Sequence, residues 1–106
     1  MGQGLRDFYQ TIQVALTPAS VNANTGAEQT FTVKGLLPGD TVMEVSKTAS
    51  QAGLIIGQSR VTAADTLSIQ FANCTAASIV PTAGETYTML VLRPEKITFG
   101  SRFNPT

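Results

Sequence analysis

The sequence predicts an all-β fold, an antiparallel β-sandwich of about six to seven short strands with extended termini. Short runs in which apolar and polar residues alternate match the period of a strand that buries one face. Clusters of Gly, Pro, Asn and Asp separate these runs roughly every 8 to 12 residues, the spacing expected of a sandwich. The chain has 106 residues, which suits one domain with one hydrophobic core.

The first strand is predicted over residues 9–16. Ile12, Val14 and Leu16 share one face of this run, and the residues between them are polar or small. Residues 22–26 then carry turn chemistry, because Asn and Gly tolerate left-handed backbone conformations. The chain is therefore expected to reverse its direction there.

The second strand is predicted over residues 28–34, with Phe31 and Val33 facing the core. Residues 35–40 break the run with two glycines and Pro38. This segment lacks the Lys of a phosphate-binding loop, and its proline removes an amide that could bind an anion. We interpret it as a turn.

The third strand, residues 41–47, alternates imperfectly because Met43 is also apolar, which indicates a bulge or an edge position. We expect Met43 and Met89 to pack in the core. The fourth strand is predicted over residues 54–61, where the interior Gly57 indicates a kink or close packing.

The fifth strand, residues 66–71, has the clearest alternation in the chain. Residues 73–77 form either a short loop or a helical turn. The sixth strand covers residues 86–92 and ends before Pro94, and residues 96–99 are a candidate last strand. We divide the chain into an N-terminal arm (residues 1–8), one sandwich domain (9–99) and a C-terminal tail (100–106).

The charge of the chain argues against several classes of partner. Lys and Arg number 7, Asp and Glu also number 7, and the net charge is +0. Such a chain has no long-range field to attract nucleic acid or anionic lipid. No stretch approaches the roughly 18 apolar residues that span a bilayer, and residues 1–7 lack the apolar core of a signal peptide. We expect neither a nucleic-acid nor a membrane partner, and a surface that favours assembly.

The residue types needed for most catalytic mechanisms are missing. The chain contains no His, which excludes Ser-His and Cys-His nucleophile pairs. The acidic residues are scattered at predicted turns and strand ends, where solvated side chains are expected. Cys74 is the only cysteine, so the chain can form neither an internal disulfide nor a cysteine metal cluster. We expect Cys74 to be a small buried side chain, and the protein to have no enzymatic activity, cofactor or metal.

Tyr87 lies near the start of the sixth predicted strand, after Gly84 and Glu85. This placement resembles the tyrosine corner of immunoglobulin-like sandwiches, whose hydroxyl bonds to nearby backbone. The alternative is an ordinary half-buried strand tyrosine, because the paired cysteines and the Trp of antibody domains are absent. We predict an immunoglobulin-like sandwich.

Both ends of the chain carry apolar side chains outside the clean alternation. Such residues are either lids of the core or arms that dock on a neighbouring subunit, and we favour arms. The candidate partner-binding residues are Phe8, Tyr9, Phe99, Arg102 and Phe103.

Three stretches of the sequence resemble a small domain family found in structural proteins of tailed bacteriophages. They are residues 16–36 (LTPASVNANTGAEQTFTVKGL), residues 51–61 with the pattern QAGL, IG and RV, and residues 65–73 with 81–87 (DTLSIQFAN and PTAGETY). The resemblance covers roughly residues 14–93. In this family the domain decorates capsids, is a minor head protein, or is a module of head and tail fibres.

The resemblance implies a non-enzymatic virion protein. Because the chain is about one domain long, the first hypothesis is a capsid decoration (cement) protein, made in the host cytoplasm and bound to the outer surface of the phage head. Its partner would be the major capsid protein, and it would form a homo-oligomer, with a trimer favoured. Arg6, Arg93 and Arg102 would either pair with capsid carboxylates or face solvent.

Two other functions are consistent with the sequence. A head-tail connector, tail or fibre component would be the same kind of structural protein at another position in the virion. A host-surface or glycan-binding module would be a different class, and it would show exposed aromatic residues at loop tips. The sequence gives this class little support, because Trp is absent and both tyrosines lie in or beside predicted strands.

Overall fold

The computed structural model describes residues 9–94, which form two antiparallel three-stranded sheets. One sheet has the order β1-β6-β3 and the other β2-β5-β4. The strands are β1 (Tyr9–Leu16), β2 (Thr25–Thr32), β3 (Thr41–Lys47), β4 (Leu54–Ala63), β5 (Thr66–Asn73) and β6 (Glu85–Leu92). The predicted all-β antiparallel sandwich is confirmed for this part of the chain. Within residues 9–94 there is no helix long and apolar enough to cross a membrane.

The strand order follows the immunoglobulin pattern with one rearrangement. In immunoglobulin domains one sheet contains strands B, E and D, and the other contains C, F and G. Here β2-β5-β4 corresponds to B-E-D, and β3 with β6 corresponds to C with F. The place of G beside F is taken by β1, which runs antiparallel to β6 from Tyr9 opposite Leu92 to Leu16 opposite Glu85. The first strand of this chain therefore forms the edge of the sheet beside β6, a position that the last strand, G, occupies in an immunoglobulin domain.

The second strand begins three residues earlier than predicted. Thr25 pairs with Asn73 of β5, so the turn before β2 is shorter than the turn predicted at residues 22–26. Asn24 adopts the left-handed conformation that the turn needs, with φ 50°. At the other end Val33 leaves the sheet and donates its backbone N–H to the Asp65 carbonyl at 2.9 Å. Val33 is buried as predicted, but as a loop residue.

The predicted irregularities of β3 and β4 are present. β3 is an edge strand of its sheet. Its pairing register with β6 shifts between Val42 and Glu44, which places a bulge at Met43. Met43 is 56% exposed, and the prediction that it packs in the core is wrong, because the bulge turns it outward. In β4 the register shifts past Gly57, where an added Cβ would lie 3.4 Å from the backbone oxygen of Gln70.

The hydrophobic core lies between the central strands of the two sheets. The residues of β5 and β6 that face it are almost fully buried, and Met89 is in the core as predicted. Phe31 meets Phe71 edge to face, with ring centroids 6.4 Å apart. The buried apolar residues are Leu16, Val21, Val33, Leu36, Leu67, Ile69, Phe71, Tyr87, Met89 and Val91.

Asn73, the last residue of β5, anchors the loops at one end of the sandwich. It is 2% exposed, and its amide nitrogen donates to the carbonyl oxygens of Val21 and Ala77 at 3.0 and 2.7 Å. Its amide oxygen accepts hydrogen bonds from the backbone N–H and hydroxyl of Thr75 at 2.8 and 2.7 Å. Residues 73–77 are therefore a loop, the first of the two predicted alternatives, folded around this side chain.

Candidate partner-binding site

Both ends of the described chain lie at one end of the sandwich, which we call the terminal end. Leu92 of β6 pairs with Tyr9 on one side and with Thr41 on the other. The sequence continues from here into residues 1–8 and 95–106. The loop between β2 and β3 and the turn between β4 and β5 also lie at this end.

The exposed apolar side chains of the described residues concentrate at the terminal end. Tyr9 at the start of β1 is 58% exposed, Leu37 of the β2–β3 loop is 47% exposed, and Met43, near the start of β3, is 56% exposed. The other two large apolar side chains of this kind, Ile55 and Val80, lie toward the opposite end. Single exposed apolar residues are normal, but neighbouring ones mark interaction surfaces.

Two half-buried leucines extend this surface over the outer face of the β1-β6-β3 sheet. Side chains alternate along a strand, and Tyr87, Met89 and Val91 of β6 face the core. Leu90 and Leu92 therefore face outward, and both are partly exposed. Leu92 is paired with Tyr9, and the Met43 bulge lies on the other side of β6. We call Tyr9, Leu37, Met43, Leu90 and Leu92 the apolar patch.

An ion pair fixes the loop beside this patch. Arg93 donates through Nε and Nη2 to the two carboxylate oxygens of Asp40, both at 2.8 Å, and through Nη2 to the Gly35 carbonyl at 2.8 Å. The Leu37 backbone N–H also donates to Asp40, at 3.0 Å. The hydrogen bond from Arg93 is the main reason that the pKa of Asp40 lies below its usual value.

This pair corrects two expectations from the sequence. The Asp40 side chain is only 2% exposed, so it is not one of the solvated acids that its place in a turn predicts. Arg93 is 48% exposed and binds a carboxylate of its own domain, which corrects the alternative that it only faces solvent.

A cleft of about 220 Å³ opens at the terminal end between the start of β1 and the loop that follows β2. Ile12, Leu36 and Val91 form its apolar wall, and Gln10, Lys34 and Arg93 are its polar lining. The turn between β4 and β5 holds the loop in place. Asp65 donates its backbone N–H to the Leu36 carbonyl and accepts the Gly35 N–H through Oδ1, both at 2.8 Å.

Two further ion pairs stabilise the sandwich away from the terminal end. Lys47 of β3 binds Glu85 of β6, and both side chains are less than 10% exposed. Glu28 of β2 and Arg60 of β4 form a bidentate pair across β5 at 2.8 and 2.9 Å. Hydrogen bonds from Lys47 and Arg60 hold the pKa values of Glu85 and Glu28 below their usual range. Among residues 9–94, no three Asp, Glu or Cys side chains group to hold a metal.

Tyr87 does not form the bond of a tyrosine corner. It is fully buried, which also excludes the half-buried alternative, and its hydroxyl has no hydrogen-bond partner among the described residues. Burial raises the pKa of this hydroxyl.

Cys74 is exposed, contrary to the prediction. The preceding residue, Asn73, takes the inward position of β5, so the next side chain points outward.

Of the partner-binding residues predicted from the sequence, the structure describes Tyr9. It lies in the apolar patch. Phe8, Phe99, Arg102 and Phe103 lie outside the described residues, as does the candidate last strand at residues 96–99. The sequence did not indicate Leu37, Met43, Leu90 or Leu92, because each was assigned to a turn, the core or a buried strand.

No family model matches the chain, and no curated protein or solved structure matches it. The terminal end is the candidate site because exposed apolar residues lie there and because residues 1–8 and 95–106 continue the chain from it.

Proposed function

We propose that this protein is a virion structural protein of a tailed bacteriophage, a capsid decoration protein that binds the outer surface of the head through its terminal end. The phage context comes from the resemblance of residues 14–93 to phage structural domains. The interaction role is supported by one structural observation: Tyr9, Leu37 and Met43 are exposed together at the end from which both terminal segments continue.

The apolar patch has the composition expected of a docking surface. Fully burying a large apolar side chain is worth roughly 1.5–3 kcal/mol, and about half of Tyr9, Leu37 and Met43 is already covered. Each would therefore contribute on the order of 1 kcal/mol when a partner covers it. Many copies of such a modest contact would stabilise a shell.

The proposed partner is the major capsid protein, and the proposed assembly is a homo-oligomer, with a trimer favoured. Phe8, Phe99, Arg102 and Phe103 would extend the contact beyond the described domain. The net charge of +0 supports contacts that depend on apolar area more than on long-range attraction.

The test is a binding assay of purified protein against intact phage heads, with bound copies counted per head. Saturation at hundreds of copies is expected, because a symmetric shell repeats its binding site. Saturation at a dozen copies or fewer would assign the protein to the portal, connector or tail.

Matched variants locate the contact. Met43→Asp places a charge in the apolar patch and is expected to reduce head binding. Val80→Asp, at a position on a loop at the opposite end that is 65% exposed against 56% for Met43, should leave binding unchanged. Deletion of residues 1–8 or 100–106 is also expected to reduce binding and to leave the domain folded. Unchanged binding by both deletions would show that these segments are not docking arms.

A further inference from the structure

β1 is the least protected edge strand of the sandwich. Each sheet has three strands, so β1, β2, β3 and β4 are all edges. β3 carries a bulge, β4 carries two register shifts, and β2 contains Gly26 and the charged Glu28. Bulges and charges are the usual means by which edge strands avoid pairing with other chains. β1 has eight residues in unbroken register with β6 and contains no charged residue, Pro or Gly.

The free edge of β1 offers backbone groups to a further strand. In an antiparallel ladder, every second residue of an edge strand directs its N–H and C=O away from its neighbour. Within residues 9–94, the backbone of β1 makes no hydrogen bond outside its ladder with β6. These groups can therefore pair with another extended segment.

The cleft lies beside this edge on the inner side of the sheet. Gln10 and Ile12 of β1 line it, together with Lys34 and Leu36 from across the gap between the sheets. A strand added to β1 would direct alternate side chains to the same side as Gln10 and Ile12, and so into the cleft. Strand addition with side chains in pockets is a recurring mode of peptide recognition.

The size and charge of the cleft specify the chemistry of its occupant. A cavity of about 150 Å³ is large enough to hold benzene, so a cleft of about 220 Å³ with Ile12, Leu36 and Val91 as its apolar wall has room for one aromatic or large aliphatic side chain. Arg93 is already paired with Asp40. Lys34 is exposed and has no carboxylate partner within the described part of the chain, which favours an acidic residue at the mouth of the cleft.

We propose that β1 and the cleft bind an extended segment of a partner protein, which adds a fourth strand to the β1-β6-β3 sheet. The segment places one bulky apolar side chain in the cleft and a carboxylate beside Lys34. This inference requires a protein partner, but it does not depend on whether that partner is a capsid protein.

The probe is the end-blocked peptide Thr-Val-Thr-Phe-Thr-Glu-Thr, titrated into the full-length ¹⁵N-labelled protein. The expected result is a saturable shift of the amide resonances of β1, residues 34–36 and Arg93, together with slower hydrogen exchange at alternate β1 amides. The same peptide with Ser in place of Phe should bind at least tenfold more weakly, because it leaves the cleft unfilled.

Charge reversal tests the role of Lys34. Lys34→Glu is expected to weaken binding of the Glu peptide by about tenfold and to strengthen binding of a peptide with Lys in its place. Glu44→Lys changes an exposed charge on the opposite edge strand β3 and serves as the matched control with unchanged binding.

Three results would overturn the proposal: no shift of β1 amides at saturating peptide, equal binding of the Ser and Phe peptides, or protection of β1 amides by self-association without peptide. The last would identify a second copy as the occupant. Failure of the peptide to bind leaves the head-binding result unaffected, because that assay uses variants of the apolar patch.

Discussion

Arg93 holds Asp40 through two parallel hydrogen bonds of 2.8 Å although 53 positions separate them in the sequence. Asp40 precedes β3 and Arg93 follows β6, so the pair ties together two neighbouring strands where they meet the terminal end. Two parallel bonds between a guanidinium and a carboxylate fix geometry as well as adding energy. The pair therefore sets the position of the loop that carries Leu37 and lines the cleft.

The protein is expected to lose stability in acid. The pKa values of Asp40, Glu28 and Glu85 are all lowered in the folded state, by hydrogen bonds from Arg93, Arg60 and Lys47. A carboxyl with a lowered folded pKa stabilises the protein above its unfolded pKa, and this stabilisation is lost as the pH falls through the folded value. The unfolded values are near 4, so the melting temperature should be level from pH 7 to about 5 and fall below about 4. Thermal unfolding followed by circular dichroism over this range measures the effect.

Asp40→Asn isolates the contribution of the terminal-end pair. The substitution should lower the free energy of unfolding at pH 7 by about 1–2 kcal/mol, because the charged acceptor of Arg93 is lost. It should also reduce the acid dependence, since one of the shifted carboxyls is gone. A variant whose melting temperature follows pH as steeply as the wild type would contradict the assignment.

The two methionines of the described strands should respond differently to truncation. Met89→Ala removes a side chain that is 1% exposed and is expected to cost about 2–5 kcal/mol of unfolding free energy. Met43→Ala, at the bulge, should change it by less than about 0.5 kcal/mol. Urea unfolding of both variants provides the comparison. Equal losses would mean that Met43 is packed in the core after all.

The buried hydroxyl of Tyr87 is expected to contribute nothing to stability. It has no hydrogen-bond partner within residues 9–94, and a buried polar group without a partner costs free energy. Tyr87→Phe should leave the free energy of unfolding unchanged or raise it by up to about 1 kcal/mol. A clear loss of stability in this variant would reveal a bond of the tyrosine-corner type.

Asn73 should be the most sensitive polar position in the described chain. Its amide makes four hydrogen bonds inside the loops at the opposite end. Asn73→Ala leaves these partners unsatisfied and is expected to cost about 2–4 kcal/mol. Asn22→Ala, at an exposed position nearby, is the matched control, with an expected change below about 0.5 kcal/mol. Chemical denaturation of the pair distinguishes the anchoring role from a general effect of the substitution.

Local patterns in the sequence were sufficient to predict the fold class and most strands. The alternation of Leu67, Ile69 and Phe71 identifies a half-buried strand directly, because the period of a strand is two residues. The sequence could not show that β1 pairs with β6, since that pairing depends on which strands meet after the chain has folded. The inward position of Asn73, and hence the exposure of Cys74, also depends on where β5 ends.

The candidate site was only partly predictable. Tyr9 stands out as an aromatic residue near the start of the chain. Nothing in the sequence around Leu37 and Met43 shows whether these apolar side chains are exposed or buried. The exposure of Met43 follows from a bulge in the β3–β6 pairing, and alternation alone could not decide between a bulge and a core position. The pairing of Asp40 with Arg93 could not be predicted either, because no local spacing in the sequence links a loop residue to one 53 positions away.

The position of β1 beside β6 has a practical consequence for engineering. Directly paired residues of antiparallel strands have Cα atoms about 4.5–5.5 Å apart, so Tyr9 and Leu92 lie close together. The whole domain can therefore be inserted into one surface loop of an unrelated scaffold, with the scaffold chain joined at these two residues. The loop at residues 48–53 lies at the far end from both of them. A foreign epitope inserted there would face away from whatever surface holds the terminal end, which makes the domain a candidate display module.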